Sequence, residues 1–393
     1  MPWMEVLPMD EKARFLADVI AGLDSVAELC RRHGVSRKTG YKWMRRVKRE
    51  GSAGLAERSR RPKSASELTA PHVVEALLGA RRRHPTWGAK KLLAHLARKH
   101  PTWTLPAKST AHDILRRNGL IPTPRRRRRK SHPGRPVTEF TEPNRIWTAD
   151  FKGQFKTGDG VYCYPLTIQD GYSRFLLECR GLPGPTIEAT KRVFKRVFKT
   201  YGLPDRIRTD NGVPFASMAL GRLSRLSAWW VRLGITPELI EPGKPQQNGR
   251  HERMHRTLKA HTARPPAASL RAQQRRFDAF RAEFNRERPH EALRMKVPAE
   301  LFRPSDRPYP SHLKPFVYPG HYEVRKVSSN GGVRWNAGWV NVSHILGGHY
   351  IGLEEVDHEV WDVYFGPVLL GRFFEKAGRI TDPRGYVMRN PKR

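Results

Sequence analysis

"NRIWTADFKGQFKTGDGVYCYPLTIQDGYSRFLLECRGL", residues 144–182, decides the fold class. Within it, RIWTADFKGQF, VYCYPLTIQD and RFLLECRGL are apolar or alternating runs parted by Gly-containing turns, which predicts three successive strands, largely antiparallel. TIEATKRVFKRVFKTYG follows, with Ala189, Val193 and Val197 spaced by four, as an amphipathic helix. DRIRTDNG then supplies a short strand ending in a turn, GRLSRLSAWWVRLG a helix, ITPELI a strand, and GKPQQNGRHERMHRTLKAHT a last helix. The order βββαβαβα describes an α/β core.

Working outward, the chain has 393 residues, enough for several domains that each bury a core. Lys plus Arg number 74 against 37 for Asp plus Glu, a formal charge of +37. Such a charge repels itself and is best neutralised by a polyanion; nucleic acid fits, since Lys and Arg release counterions from phosphates. Anionic membrane is the competitor, but no apolar run is long enough to span one and the amino terminus lacks a signal-peptide pattern. A soluble, intracellular protein is expected. Three scattered cysteines and dispersed histidines suggest neither a disulfide framework nor a metal site built from His and Cys.

Upstream, DSVAELCRRHGVSRKTGYKWMRRVKREG reads as a helix around Ser25 to His33, a Gly34-Val35 turn, and a second helix capped by Ser36. This is a helix-turn-helix pattern. Thr39, Trp43 and Val47 form its inner stripe, leaving Arg37, Lys38, Lys42, Arg45, Arg46 and Arg49 for phosphate. Gly40 inside that helix costs about 1 kcal/mol and counts against the pattern. A second helical unit runs from about Leu68 to Leu120. Then comes a proline-rich stretch with six consecutive cations, Arg125, Arg126, Arg127, Arg128, Arg129 and Lys130, which is expected to lie along DNA as a tether. From about Pro315 the texture is all β, with a hairpin signal at Asn330-Gly331, and suggests a small barrel.

Three acids in the middle region stand out. Asp150 ends an apolar strand, where a charge is expensive unless it is paired or metal-bound. Asp210 ends the fourth strand, and Glu252 is the only acid between Lys244 and Phe277. Each has an ordinary reading as well. Glu252 and Arg256 could be a surface helix pair worth about 0.3 to 0.5 kcal/mol, and Asp210-Asn211-Gly212 is a common turn. Strand ends are where open α/β sheets place ligands, and facing carboxylates call for a hard divalent cation, Mg²⁺ or Mn²⁺. A pair of such ions suits phosphoryl transfer on a nucleic-acid backbone.

In order, WTAD at 147–150, IQDGYSR at 168–174, TDNG at 209–212, PQQNGRHER at 245–253 and FNRERPHEAL at 284–293 resemble the integrase-core transposases of bacterial insertion sequences. That DDE superfamily shares the ribonuclease H-like fold with retroviral integrases. The helix-turn-helix units and HPTWGAKKL at 84–92 also look like the family's amino-terminal region. The resemblance implies a multidomain α+β chain: helix-turn-helix units, a ribonuclease H-like core with a mixed sheet, and a carboxy-terminal small β-barrel. The expected divisions are a helix-turn-helix domain at 1–58, a second helical DNA-binding unit at 66–121, a basic linker at 122–143, the core at 144–305, the barrel at 315–376 and a basic tail at 377–393.

Carried over by motif, the catalytic and metal-holding triad falls on Asp150, Asp210 and Glu252. Asn211 and Gly212 support the second acid, and Asn248 and Gly249 begin the helix that presents the third. Asp170 is expected to be structural, and Glu241 is the rival third carboxylate. The implied activity is cleavage at the ends of a mobile DNA element, followed by attack of the freed 3′-hydroxyl on target DNA, with Mg²⁺ or Mn²⁺ as a pair of ions, and at least a homodimer on double-stranded DNA. The implied setting is the bacterial cytoplasm at the nucleoid. The alternatives are a domesticated DNA-binding regulator that no longer cuts, and a ribonuclease H-type nuclease.

Overall fold

A computed structural model describes residues 8–57, 69–121, 138–241 and 245–382. The cations Arg125 to Lys130 lie outside these described residues. The chain forms two compact units that divide between Leu68 and Thr69.

The first unit holds α1 (Pro8–Ile20), α2 (Val26–Arg32) and α3 (Arg37–Glu50). Phe15, Leu16, Leu29 and Cys30 are its buried apolar centre. Ser36 caps α3 as its spacing predicts, its Oγ accepting from the Thr39 N–H at 3.2 Å. The glycine that counted against this helix has a packing reason. A Cβ built on Gly40 would lie 2.6 Å from Cys30 Sγ and 2.9 Å from Phe15 Cζ, so only glycine lets the helices approach this closely.

The second unit begins with α4 (Pro71–Arg83), α5 (Ala89–Lys99) and α6 (Lys108–Arg117), packed around Leu77, Trp87, Leu92 and Leu115. The strands follow: β1 (Ile146–Phe151), β2 (Phe155–Lys156), β3 (Tyr162–Asp170) and β4 (Leu176–Leu182). After α7 (Ile187–Tyr201) come β5 (Arg206–Thr209), α8 (Arg225–Arg232), β6 (Thr236–Leu239), α9 (Gly249–Thr262), α10 (Leu270–Arg286) and the short α11 (Pro298–Leu301). The sheet is mixed. β1 pairs antiparallel with β3, and β3 with β4, whereas β1, β5 and β6 run parallel. The first expected strand is broken at Gly153, whose φ of 48° turns the chain between β1 and β2.

Helices cover both faces, which is why the strands are nearly continuous apolar runs. On one face Trp147 and Ala149 pack with α7 and α8 through Val193, Phe194, Val197, Phe198, Leu226 and Trp230. On the other, Cys163, Leu176 and Cys179 meet Met254 and Leu258 of α9 and Phe277, Phe280 and Phe284 of α10. Alternation along β1 therefore turns Thr148 and Asp150 away from the α7 side, toward α9.

The carboxy-terminal region departs from expectation in three ways. β7 (Glu323–Lys326), β10 (Tyr350–Asp357), β11 (Val360–Phe365), β12 (Val368–Phe374) and β13 (Arg379–Thr381) form one antiparallel sheet, while β8 (Gly332–Trp335) and β9 (Gly338–Asn341) pair only with each other. Among the described residues no pairing of β13 with β7 closes a barrel. The hairpin turn falls at Asn336-Ala337, between paired Trp335 and Gly338, and not at Asn330-Gly331. Gly331 serves close approach instead: a Cβ there would lie 2.4 Å from the His344 amide nitrogen. Residues 379–381 of the expected tail are strand β13, paired with β12.

Candidate active site

Asp150 stands opposite Thr167 in the β1–β3 register, on the face that α9 covers. Its side chain is 18% exposed. Asp210 follows directly on β5, the parallel neighbour of β1, so both acids leave the sheet at the same strand end. Glu252 projects from the first turn of α9 and is exposed. The three interact. Burial and then the Asp210 carboxylate push the Asp150 carboxyl up to about 7; the Phe151 amide and Lys152 hold it down, and Glu252 adds an upward push.

The local turns fix these positions. The Gly212 N–H donates to Asp210 Oδ1 at 3.1 Å. Asn211 Nδ2 donates to the Ile240 carbonyl at 2.9 Å, tying the end of β5 to that of β6. Gly249 is the first residue of α9, and Asn248 is buried at its cap position without a side-chain capping bond; its Oδ1 has no partner among the described residues. Glu241, the rival acid, is engaged elsewhere: its Oε1 accepts from Gln247 Nε2 at 2.6 Å. Asp170 is fully buried and accepts from the Asn144 and Ser173 amides, both at 2.8 Å, so it braces the loop after β3.

Sequence reasoning missed the groups behind Asp150. His251 and His255, one turn apart on α9, both face inward. Thr167 Oγ1 lies 2.6 Å from Nε2 of each, and Thr148 Oγ1 2.8 Å from His251 Nδ1. His255 Nδ1 is 3.5 Å from Asp150 Oδ2. A threonine carries one hydroxyl hydrogen, so at least one imidazole must donate to Thr167. Burial holds His251 down to about 3 and His255 well below the usual imidazole range, with His251 and Lys152 adding to the latter effect. The pair is neutral.

One ligating atom each from Asp150, His251 and His255 lies within 4.8 Å of the others, a grouping unforeseen in the sequence, where no histidine metal site was expected. The signal was present in HERMH: two histidines at helical spacing flanking Met254 on a buried stripe. Both nitrogens of His251 already have threonine partners, however. Asp210 and Glu252 do not join that grouping: among the described residues, Asp150 with the two histidines is the one cluster whose ligating atoms all come within 4.8 Å.

The residues assigned to DNA in α3 are on the surface. Arg37, Lys38, Lys42 and Arg45 are exposed, and Arg46 is half-buried. Lys42 and Arg46 lie over the Trp43 ring at 5.0 and 4.9 Å, which spreads a cationic face over the helix's own aromatic.

Residues 141–245 and 233–298 each match the family described as "Integrase core domain". Residues 11–63 match a "Helix-turn-helix domain" and residues 39–115 a "Homeodomain-like domain". The chain is 29% identical over 164 residues to the "Insertion element IS407 uncharacterized 31.7 kDa protein" of Burkholderia multivorans, covering 40% of this chain and 55% of that one. It is 29% identical over 206 residues to the "Insertion element IS476 uncharacterized 39.2 kDa protein" of Xanthomonas euvesicatoria, covering 50% and 56%. The chain thus spans about half the length of these curated relatives. Among solved structures, the HTLV-2 integrase catalytic core domain in complex with magnesium covers 42% of this chain and 100% of its own, at 17% identity and a TM-score of 0.34. Among the described residues no helix is long and apolar enough to cross a membrane.

Proposed function

The chain carries an integrase core domain with helix-turn-helix domains and has relatives among insertion-element proteins, and from that premise we propose that it is a transposase that cuts and joins DNA at the ends of a mobile element. The observation that supports this reading is one of placement: Asp150 and Asp210 stand at the same end of the parallel neighbours β1 and β5, and Glu252 lies in the first turn of α9, which covers that face. Three acids brought from two strands and a helix make a site for Mg²⁺ or Mn²⁺, as a pair of ions, with Asp150, Asp210 and Glu252 as the ligands. When bound, such ions supply Lewis-acid stabilisation of charge on a phosphodiester.

The chain's own groups do the rest. Asp150 must give up its proton before it can ligate, and burial makes that reluctant. Neutral His255 and His251, anchored through Thr167 and Thr148, hold α9 against the sheet and keep Glu252 in reach of Asp150. Asn211 and Gly212 keep the Asp210 carboxylate aimed off the strand end. Arg37, Lys38, Lys42, Arg45 and Arg46 of α3, with the run from Arg125 to Lys130, neutralise phosphates of double-stranded DNA, and two copies of the chain meet on the two element ends.

The test is a cleavage and strand-transfer assay in Mg²⁺ on DNA carrying the inverted repeats that flank the gene. The parent should cut and join, while Asp150→Asn and Asp210→Asn retain end binding and lose cleavage by at least about a hundredfold. Binding without joining by the parent as well would replace this reading with that of a non-cutting regulator.

A further inference from the structure

A cavity of about 440 Å³ opens beside the first turn of α9, walled by Phe140, Tyr172, Arg174, Arg250, Arg294 and Lys296 among others. Four of these are cations, and no carboxylate lines it. Among the described residues none of the four has an ion-pair partner, although many other arginines of the chain do. Arg250 is fixed in place: its Nη1 donates to the Gly171 carbonyl at 2.9 Å and its guanidinium lies 4.4 Å from the Phe140 ring centre. Arg174 is held down to about 10 by burial, then by Arg250 and Arg253.

The backbone adds an independent sign. Arg174 and Arg294 both sit in the left-handed region, at φ 62° and 53°, and Met295 follows at 65°. Side-chain-bearing residues adopt that conformation at a cost and keep it where surrounding structure imposes it, commonly at binding sites. Two of the cavity's four cations are mounted this way.

We infer that this cavity is a phosphate-binding subsite for the backbone of DNA, its oxygens accepting from Arg174, Arg250, Arg294 and Lys296, with the half-exposed Tyr172 ring set against a sugar. A polymer fits better than a free anion because the cations continue past the cavity. Lys91 lies within electrostatic reach of Arg288, Arg174 and Arg253, with Glu291 acting in the opposite sense, and Arg253 adjoins Glu252 on α9. Residues 250 and 252 are about 3 Å apart along the helix axis but on different sides of it, so a strand running from the cavity to the acidic site would pass around the amino-terminal turn of α9. The inference rests on the DNA reading above but not on cleavage.

Arg174→Gly/Arg294→Gly removes two cations and relieves two left-handed backbones, so a fall in binding cannot be ascribed to added strain; thermal melting checks the fold. Binding of a fluorescein-labelled DNA duplex is followed by anisotropy across a potassium chloride series. The double variant should bind at least about tenfold more weakly at low salt, and its log–log salt slope should be shallower by roughly two phosphate contacts. Lys296→Gln alone should lower the slope by about one. Inorganic pyrophosphate should compete no better than ionic strength explains. Unchanged slopes in both variants overturn the assignment, as does displacement by pyrophosphate with duplex binding unaffected. Plasmid cleavage in Mg²⁺ separates the two readings. A parent that cuts with slopes unchanged sinks the subsite alone, and a parent that never cuts but shows the altered slopes sinks the transposase reading alone.

Discussion

Asp150 links stability to pH and, on the proposed reading, to readiness for metal. Its carboxyl is raised from an ordinary 3.8 to about 7, so over that window the folded chain holds a proton that the unfolded chain has released. Stability of the metal-free protein therefore falls as pH rises from about 4 through about 7. Divalent cations act in the opposite sense, since they need the carboxylate bare, so Mg²⁺ should raise the melting temperature most at the alkaline end. Differential scanning fluorimetry of the parent and Asp150→Asn, with and without Mg²⁺, checks this. The asparagine variant should lose both trends, and equal slopes in the two proteins would assign the effect to another group. At this scale the placement of the three acids was legible, because each sits in a short motif at a strand end or helix start. The imidazoles behind them were not, because a hydrogen bond between Thr167 and His251 joins residues on separate elements and depends on which face of α9 meets the sheet.

At the scale of elements, α3 sets propensity against packing. Propensity alone predicts that Gly40→Ala stabilises the helix by about 1 kcal/mol. The contact with Cys30 and Phe15 predicts the reverse, a loss of about 1 to 3 kcal/mol through overpacking. Hydrogen–deuterium exchange of the full chain decides: amides of α2 and α3 should exchange faster in the alanine variant, and slower exchange would mean the helices can part without cost. The strands of the core were readable from apolar runs and turn residues, since both are local signals. Barrel closure was not, because it depends on whether the first and last strands of a region pair, and no local run encodes that. The Asn330-Gly331 turn misled for a related reason. Its glycine answers to the approach of His344, a neighbour in space rather than along the strand.

For the whole molecule, the helices α4 to α6 belong with the sheet. His84 Nδ1 lies 3.1 Å from Glu283 Oε1 on α10, Thr86 Oγ1 3.0 Å from His261 Nε2 on α9, and Arg98 Nε 3.2 Å from Glu300 Oε1 on α11. Behind this seam Trp87 is fully buried and stacked on His84 at 3.8 Å. Trp87→Ala should cost about 3 to 5 kcal/mol. If the seam couples the parts, exchange should quicken in β1 and α10 as well as in α4 to α6. Acceleration confined to the three helices would show that they melt independently. The motifs HPTWG and RPHEAL stood out in the sequence as separate signatures; that they meet, with the Arg288 guanidinium 5.9 Å from the Trp87 ring centre, was not visible there.

That seam has a metrical consequence. Helices clamped to α9, α10 and α11 cannot swing on a leash, so on the proposed reading a stretch of duplex resting upon them would lie at one set offset from the strand ends of β1 and β5. The spacing between grip and incision would then be written into the protein as a rigid ruler, and inserting base pairs between the two would throw the scissile bond out of register instead of being absorbed by slack.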